Sequence, residues 1–329
     1  MRFRTEIPPE RADFLLRYEH QILSLGSCFA ERMGRRLRDS KFSVLCNPLG
    51  ICYHPLALSK VLRMGLGSLP APDITYAEHL GLWHSFDLHG SLRAIERGVL
   101  RSSIDQQVAT LRAHLSKTDF LLLTLGTAWA YEDIESGEMV ANCHKYPAAR
   151  FAKRLLSVDE IVADYELLFA DLRARRPGLH IILTVSPVRH ERDTLALNSV
   201  SKSVLRLAAH QLRESLAGVD YYPAYELLID DLRDYRYYEA DLLHPNEQAE
   251  RYIWEHFGAS YFDDQTQALL KRWQKLSQAL AHRPFHPEGE AHQQFLQNLL
   301  AKLSELGREL PLEAEIAETR ARLEAFASG

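Results

Sequence analysis

Short apolar runs alternate with segments of helical periodicity over the first two thirds of the chain. The runs have the length of strands and occupy residues 22–25, 42–46, 120–125, 179–185 and 221–222. Between them, apolar residues recur every three or four positions, as at Phe29, Met33 and Leu37, which predicts helices with one buried face. Strands that alternate with helices predict an α/β fold, a three-layer α/β/α sandwich around a mostly parallel sheet.

The C-terminal part of the chain has a different pattern. From residue 259 onward the sequence shows amphipathic helical segments and no strand-like run. We therefore predict an α/β domain over residues 1–258 and a helical extension over residues 259–329. These helices are too polar on one side to form a core by themselves. We expect them to pack on the main domain or on a second copy of the chain, as in a homo-oligomer.

Composition narrows the class of protein. The 329 residues carry a net charge of -5, with 46% hydrophobic and 25% charged residues, which is typical of a soluble globular protein and argues against a nucleic-acid partner. No apolar run reaches the length of about 20 residues that a membrane span needs, and the N-terminus lacks the apolar core of a signal peptide. The four cysteines form neither a disulfide framework nor a metal-binding motif. We expect a cytoplasmic protein without metal or cofactor.

The first predicted strand ends in a Gly-Ser turn, Gly26-Ser27, that leads directly into a helix. A serine at such a turn lies at the carboxyl edge of the sheet, where the N–H groups of the helix N-terminus suit a developing oxyanion. The simpler interpretation of Ser27 is an N-cap. Cys28 presents a similar choice, because a thiol at a helix N-terminus can act as a nucleophile. The residue after a nucleophile in such a turn points into the core, however, which favours a packing role for Cys28.

A second motif lies near the end of the predicted sheet. Asp241 and His244 are three residues apart and precede Pro245, which suits the first position of the following helix. This spacing lets the carboxylate reach one ring nitrogen while the other nitrogen faces outward, as a general base requires. An ordinary surface turn is the alternative. Because the carboxyl ends of parallel strands share one edge of the sheet, we expect Ser27 and this pair to converge.

The Gly-Ser turn early and the Asp-x-x-His motif late resemble the order of motifs in the SGNH/GDSL hydrolase superfamily. The chain more closely resembles the GSCFA family, whose name is the pentapeptide at residues 26–30. Further similar segments are residues 47–51, 124–129, 141–145, 184–190, 230–236 and 241–245. The resemblance implies an SGNH-like, flavodoxin-like sandwich and, by analogy, ester hydrolysis or acyl transfer. In that comparison Ser27 matches the nucleophile, His244 the general base and Asp241 its orienting partner.

The resemblance also implies an oxyanion hole, with one departure. Its donors would be the backbone N–H groups of Ser27 and Gly50. The superfamily carries a further donor, an asparagine, where this chain has Ala128, and Thr127 or Asn142 would have to substitute for it. Losing one oxyanion donor costs about 10²–10³ in rate. The alternative function is therefore a non-catalytic protein on the same scaffold that binds carbohydrate or small molecules, or that regulates.

Several polar and aromatic side chains in these segments are expected to contact a small-molecule or glycan ester. They are Asn47, His84, Trp129, His144, Lys145, Arg189 and His190. Lys145, Arg189 and His190 would suit an anionic or hydroxylated substrate. For each of the three, a structural salt bridge or hydrogen bond is an equally good explanation, and for His84 a packed loop is.

Overall fold

The computed structural model describes residues 4–68, 76–286 and 288–327. Its centre is a five-stranded parallel sheet, which confirms the predicted fold class. The strands are β1 (Gln21–Gly26), β2 (Ser43–Cys46), β5 (Phe120–Leu125), β9 (His180–Val185) and β10 (Val219–Tyr221). Their order is β10-β9-β5-β1-β2, so the most apolar strand, β5, is central and buried along its whole length.

Helices cover both faces of this sheet. They are α1 (Cys28–Asp39), α2 (Pro55–Leu66), α3 (Arg97–Leu115), α4 (Val158–Arg175), α5 (Thr194–Ser215), α6 (Ala224–Glu226, continued by a π-helical turn at Leu227–Leu232) and α7 (Glu247–Tyr261). The side chains of each strand alternate between the two faces. Leu121 and Leu123 belong to the core under α2 to α5, whereas Phe120 and Leu122 belong to the core under α1 and α7.

Two small antiparallel sheets were not predicted. One is a hairpin of β3 (Tyr76–His79) and β4 (Leu82–Ser85), and the other comprises β6 (Trp129–Asp133), β7 (Met139–Val140) and β8 (Phe151–Leu155). Most of these strands mix polar and partly exposed residues, so they lack the continuous apolar run that identified the central strands. Strands β6, β7 and β8 form a wall beside the carboxyl edge of the central sheet.

The C-terminal helices pack on the main domain. They are α8 (Asp264–Ala281), α9 (Glu290–Leu306) and α10 (Glu313–Ala327). The indole of Trp273 is buried and donates a hydrogen bond to the carbonyl of Asp39, at 2.7 Å, and Lys41 forms an ion pair with Glu315. Of the two packing arrangements expected for these helices, the structure therefore contains the one on the main domain.

One helix boundary differs from the prediction. Helix α7 begins at Glu247, and Asn246 is its N-cap, with its side chain accepting the N–H of Ala249. Pro245 lies two residues before the helix because an asparagine is a strong N-cap. In the described part of the chain, no helix is apolar over a length sufficient to cross a bilayer.

Candidate active site

A cleft of about 710 Å³ opens at the carboxyl edge of the central sheet. Its floor is made by residues that follow β1, β2, β5 and β9, and one side by the loop before α7. Strands β6, β7 and β8, with the loop between β7 and β8, form the opposite wall. Residues from these parts include Cys28, Tyr53, Thr127, Trp129, Asn142, His144, Lys145, Arg189, His190 and His244. Segments that are distant in the sequence therefore meet at this edge of the sheet.

A thiol, an imidazole and a carboxylate form a chain of contacts in this cleft. Cys28 Sγ lies 3.7 Å from His244 Nε2, and His244 Nδ1 lies 2.6 Å from Asp241 Oδ2. Because a carboxylate only accepts, Nδ1 carries the proton of that bond and Nε2 presents its lone pair to the thiol. Cys28 and His244 are 216 positions apart in the sequence, so the contact exists only in the folded protein.

Ser27 is placed differently from the expectation. It is 1% exposed, and its hydroxyl accepts the N–H of Phe29 at 3.3 Å, which makes it the N-cap of α1. Its own backbone N–H donates to the carbonyl of Thr124 at 3.4 Å. No hydrogen bond joins Ser27 to His244 in the described chain. The thiol of Cys28 is the group that lines the cleft, and Ser27 faces the interior, so the inward direction expected for Cys28 belongs to its neighbour.

The loop that carries His244 is built around Asp241. One carboxylate oxygen accepts the backbone N–H groups of Leu243 and His244 at 2.9 and 3.0 Å, while the other holds the imidazole. The backbone passes through a left-handed conformation at Leu242, with φ of 59°. The hydrogen bonds from the backbone of His244 and Leu243, and from the imidazole, lower the pKa of Asp241 to about 2. The carboxylate is therefore ionised throughout the neutral range.

Arg32 connects this loop to the helix that begins with Cys28. It lies four residues after Cys28 on α1, and its guanidinium donates to the carbonyl of Pro245 at 3.1 Å and to Glu239 at 2.8 Å. It also forms an ion pair with Glu250 on α7. The peptide next to His244 is thus hydrogen-bonded to α1, the helix that begins with Cys28.

The resting cysteine is a neutral thiol. Burial is the largest influence and raises the pKa of Cys28, while the charges of Arg32 and Lys202 and the N–H groups at the start of α1 act in the opposite direction. A neutral thiol is a weak nucleophile. A base in contact with it, such as the Nε2 atom of His244, is then required for reaction.

The backbone N–H groups expected to bind the oxyanion form hydrogen bonds within the protein. The N–H of Gly50 donates to the carbonyl of Asn47 at 2.8 Å, and that of Ser27 is bonded as described. The hydroxyl of Thr127 lines the cleft and is 3.0 Å from the hydroxyl of Ser201. Asn142 also lines the cleft, and its side-chain oxygen accepts the N–H of His144. The N–H of Cys28 is the first of α1 and donates to no carbonyl of the described residues.

The expected substrate contacts divide into two groups. Five of them line the cleft: Trp129, His144, Lys145, Arg189 and His190. Asn47 does not, because its side chain binds the N–H of Gly26 and the carboxylate of Glu31. His84 does not line the cleft either and stacks on His144 from behind, with ring centroids 4.6 Å apart.

Three of the lining residues have unusual settings. Consecutive left-handed φ angles, 47° at His144 and 61° at Lys145, occur on the wall of the cleft, and such backbone strain in non-glycine residues is often found at functional sites. The guanidinium of Arg189 lies 4.2 Å from the ring centre of Tyr238 and 5.3 Å from that of Tyr235. Its backbone N–H donates to the carbonyl of Leu243, next to His244.

Sequence reasoning favoured a packing role for Cys28, which lines the cleft, and did not consider Tyr53 or Lys202. The signal for Cys28 was present, because a thiol directly after an N-cap has its backbone N–H and side chain at the open end of the helix. Tyr53 and Lys202 had no sequence signal, since a single tyrosine or lysine in an amphipathic pattern is ordinary. Among the described residues, no three His, Cys, Asp or Glu side chains gather in a way that would hold a metal ion.

Comparison with known proteins gives the family. The model of the GSCFA family matches residues 21–257, and that of the GSCFA domain protein, C-terminal domain, matches residues 273–325. The chain belongs to the GSCFA family. No curated protein matches the chain.

One similar solved structure is a carbohydrate esterase family 3 protein from Talaromyces cellulolyticus, with 15% identity and a TM-score of 0.27. The match covers 49% of this chain and 65% of that structure, so the chain spans less than two thirds of its length. A likeness at this TM-score carries no information on the chemistry of this chain.

Proposed function

We propose that the protein is an acyl-transfer enzyme, an esterase or acyltransferase, in which Cys28 is the nucleophile, His244 the general base and Asp241 its orienting partner. The observation that carries the proposal is the pair of contacts from Cys28 Sγ to His244 Nε2, at 3.7 Å, and from His244 Nδ1 to Asp241, at 2.6 Å. Nucleophile, base and orienting acid in hydrogen-bonding series are the features that nucleophilic catalysis needs. The cysteine takes the role that the sequence-based prediction assigned to Ser27.

This assignment also supports placement in the SGNH/GDSL superfamily. The superfamily opens with Gly-Asp-Ser, and Gly26-Ser27-Cys28 can be compared with that triplet position by position. Cys28 then occupies the place of the superfamily's nucleophilic serine, and Ser27 the place of the aspartate. The family-model matches to residues 21–257 and 273–325 support two parts, an SGNH-like domain over 1–258 and an extension over 259–329.

The reaction proceeds in two steps. In the first, His244 Nε2 takes the thiol proton while the sulfur of Cys28 forms a bond to the acyl carbon of an ester. The carbon–oxygen bond then breaks, and His244 gives the proton to the departing alkoxide, leaving a thioester on Cys28. In the second, His244 takes a proton from water or from an acceptor hydroxyl, which attacks the thioester. The carbon–sulfur bond breaks, the acid or new ester departs, and the thiol recovers its proton.

Two groups serve as oxyanion donors. The first is the N–H of Cys28, at the positive end of α1. The second is the hydroxyl of Thr127, which accepts the N–H of Trp129, while Ser201 accepts the N–H of Ala128. If the proton between the two hydroxyls belongs to Ser201, Thr127 keeps its own for the substrate. Thr127 then replaces the asparagine that is missing at Ala128, and Asn142, farther along the cleft, contacts the substrate.

The substrate is a small-molecule or glycan ester. Trp129 offers a flat surface for a sugar or acyl chain, and Lys145 and Arg189 form no ion pair with a carboxylate of the described chain, so they are available to an anionic or hydroxylated substrate. Water as acceptor gives an esterase and a hydroxyl gives an acyltransferase.

The test compares two neighbouring residues. Short acyl esters and acetylated glycans are incubated with the wild type and with Cys28→Ala, Ser27→Ala and His244→Gln. We expect turnover, and a thioester on Cys28 that hydroxylamine releases, in the wild type. Cys28→Ala and His244→Gln should lose activity, whereas Ser27→Ala should keep it and lose only about 1 kcal/mol of stability from its N-cap.

The matched pair makes the outcomes separable. Loss of activity in Ser27→Ala with retention in Cys28→Ala would return the nucleophile to the serine. If no ester is turned over while the folded wild type binds acetylated glycans, the protein is a binding protein on this scaffold, and the enzymatic proposal fails.

A further inference from the structure

Lys202 is a buried cation without a counter-ion. It lies on α5 and is 1% exposed. Its ammonium group donates to two backbone carbonyls, those of Gly126 and Ser186, both at 2.7 Å. No carboxylate of the described residues pairs with it. Burying a charge that is not paired is costly, so a lysine in this position calls for an explanation that the packing of α5 does not provide.

The two carbonyls are adjacent to the proposed active site. Gly126 directly follows β5 and Ser186 directly follows β9, so Lys202 connects the carboxyl ends of neighbouring strands. There is no room for a side chain at Gly126, where a Cβ atom would lie 3.3 Å from Cβ of Ser27 and 2.8 Å from the carbonyl of Tyr53. Lys202 therefore binds the carbonyl of a residue whose backbone packs against Ser27, the neighbour of Cys28.

We propose that Lys202 is a positioning residue of the reaction: its ammonium group holds the ends of β5 and β9 together behind Cys28 and stabilises the negative charge that Cys28 acquires when His244 removes its proton. This inference rests on the proposed function of Cys28. The oxyanion donors act on the substrate, whereas Lys202 acts on the thiolate of Cys28.

Titratable groups around Cys28 come from several elements, and Lys202 differs from the others. Arg32 on α1, Tyr53 after β2, Lys202 on α5 and His244 before α7 act on Cys28 directly. His190 after β9 shares the carbonyl of Gly126 with Lys202. Arg32 is paired with two glutamates, which offset its charge. His190 is buried, which lowers its pKa to about 4 and keeps it neutral. Lys202 is therefore the cation near the thiol whose charge no carboxylate compensates.

The influence is mutual. Burial lowers the pKa of Lys202 to about 7, while Cys28 acts to raise it, and Lys202 in turn acts to lower the pKa of Cys28. When the thiol loses its proton, the ammonium form becomes more favourable, so the two groups titrate as a linked pair. Such linkage provides a readout that a purely structural lysine would not change.

The experiment measures the pH dependence of iodoacetamide alkylation at Cys28 in the full-length protein, followed by mass spectrometry. Lys202→Met is compared with Lys153→Met, which removes a cation that pairs with Asp193 and lies over the ring of Trp129. We expect Lys202→Met to slow alkylation about fivefold near neutrality, where the wild-type lysine is still partly an ammonium ion, and to change the rate little above about pH 9, where that lysine has lost its charge. Lys153→Met should leave the rate near neutrality within about twofold.

Failure of the inference on Lys202 can be distinguished from failure of the proposed function of Cys28. An unchanged alkylation rate near neutrality in a folded Lys202→Met protein overturns this inference alone, and a wild-type Cys28 that resists alkylation at every pH overturns the proposed function as well. If Lys202→Met does not fold, NMR titration of the Lys202 side chain in Cys28→Asp and Cys28→Asn replaces it. The aspartate carries a negative charge at the position of the thiolate, so we expect a higher midpoint for Lys202 in Cys28→Asp, and equal midpoints would refute the linkage.

Discussion

Replacing Arg32 by methionine tests whether the loop of His244 is held in place by α1. Methionine keeps the length and apolar stem of the side chain but removes three interactions, with Pro245, Glu239 and Glu250. A hydrogen bond to a charged group contributes about 1.5–3 kcal/mol when partly buried, whereas an exposed pair contributes below about 1 kcal/mol. Glu239 is 45% exposed and Glu250 only 13%, so most of the loss arises at Glu250 and at the carbonyl of Pro245.

The expected destabilisation is about 2–3 kcal/mol, because Arg36 remains 3.5 Å from Glu250 and prevents its complete isolation. Urea denaturation monitored by tryptophan fluorescence measures this value. Loosening the peptide next to His244 should also lengthen the contact with Cys28, and one weakened contact worth about 1.4 kcal/mol slows thiol reactivity tenfold. Both the alkylation rate of Cys28 and the turnover of an active ester should show this decrease.

Arg38→Met is the matched control on the same helix. Arg38 forms an ion pair with Glu31 at 3.5 Å in which both side chains are substantially exposed, so its loss should cost below about 1 kcal/mol and leave reactivity unchanged. The reasoning is refuted if Arg32→Met matches Arg38→Met in stability and in alkylation rate. If stability falls while the rate of Cys28 is unchanged, Arg32 stabilises the fold without positioning the histidine.

Three further predictions follow from buried groups and from the cleft. His54, His144 and His190 line the cleft, and burial lowers the pKa of each to about 4. The neutral imidazoles therefore contribute their full stability above about pH 6.5, and this contribution is lost as the pH falls toward 4, by about 3 kcal/mol for His54. A urea midpoint that stays constant between pH 7 and pH 4 would contradict this prediction. Trp273→Ala should cost about 3–5 kcal/mol because the buried indole anchors the C-terminal helices, and Trp273→Phe much less; equal denaturation curves for the two variants would show that the helices are anchored elsewhere. Arg189→Gln should lower the ratio of iodoacetate to iodoacetamide reactivity at Cys28 by on the order of twofold, as for one exposed charge near the thiol, and an unaltered ratio would remove Arg189 from the list of anion contacts.

The fold followed largely from local pattern. The strands with continuous apolar runs, β5 and β9, were predicted with nearly correct ends. The antiparallel strands β6 to β8 were missed. Their stability comes from pairing with one another and from covering the edge of the central sheet, and a single strand carries no record of such partners.

Part of the candidate site could be predicted from the sequence, and part is visible only in the structure. The spacing of Asp241 and His244 made the contact between carboxylate and imidazole predictable, because a tight turn over three residues can bring the two groups within reach. The sequence could not show whether the hydroxyl of Ser27 or the thiol of Cys28 faces the imidazole. Ser27 and Cys28 are adjacent, and a rotation of the backbone by one residue at the end of β1 exchanges the side chain that points into the cleft with the one that caps α1. The tertiary structure places the sulfur of Cys28 against the imidazole, because α1 packs with that side chain in the cleft and Arg32 connects α1 to the loop of His244.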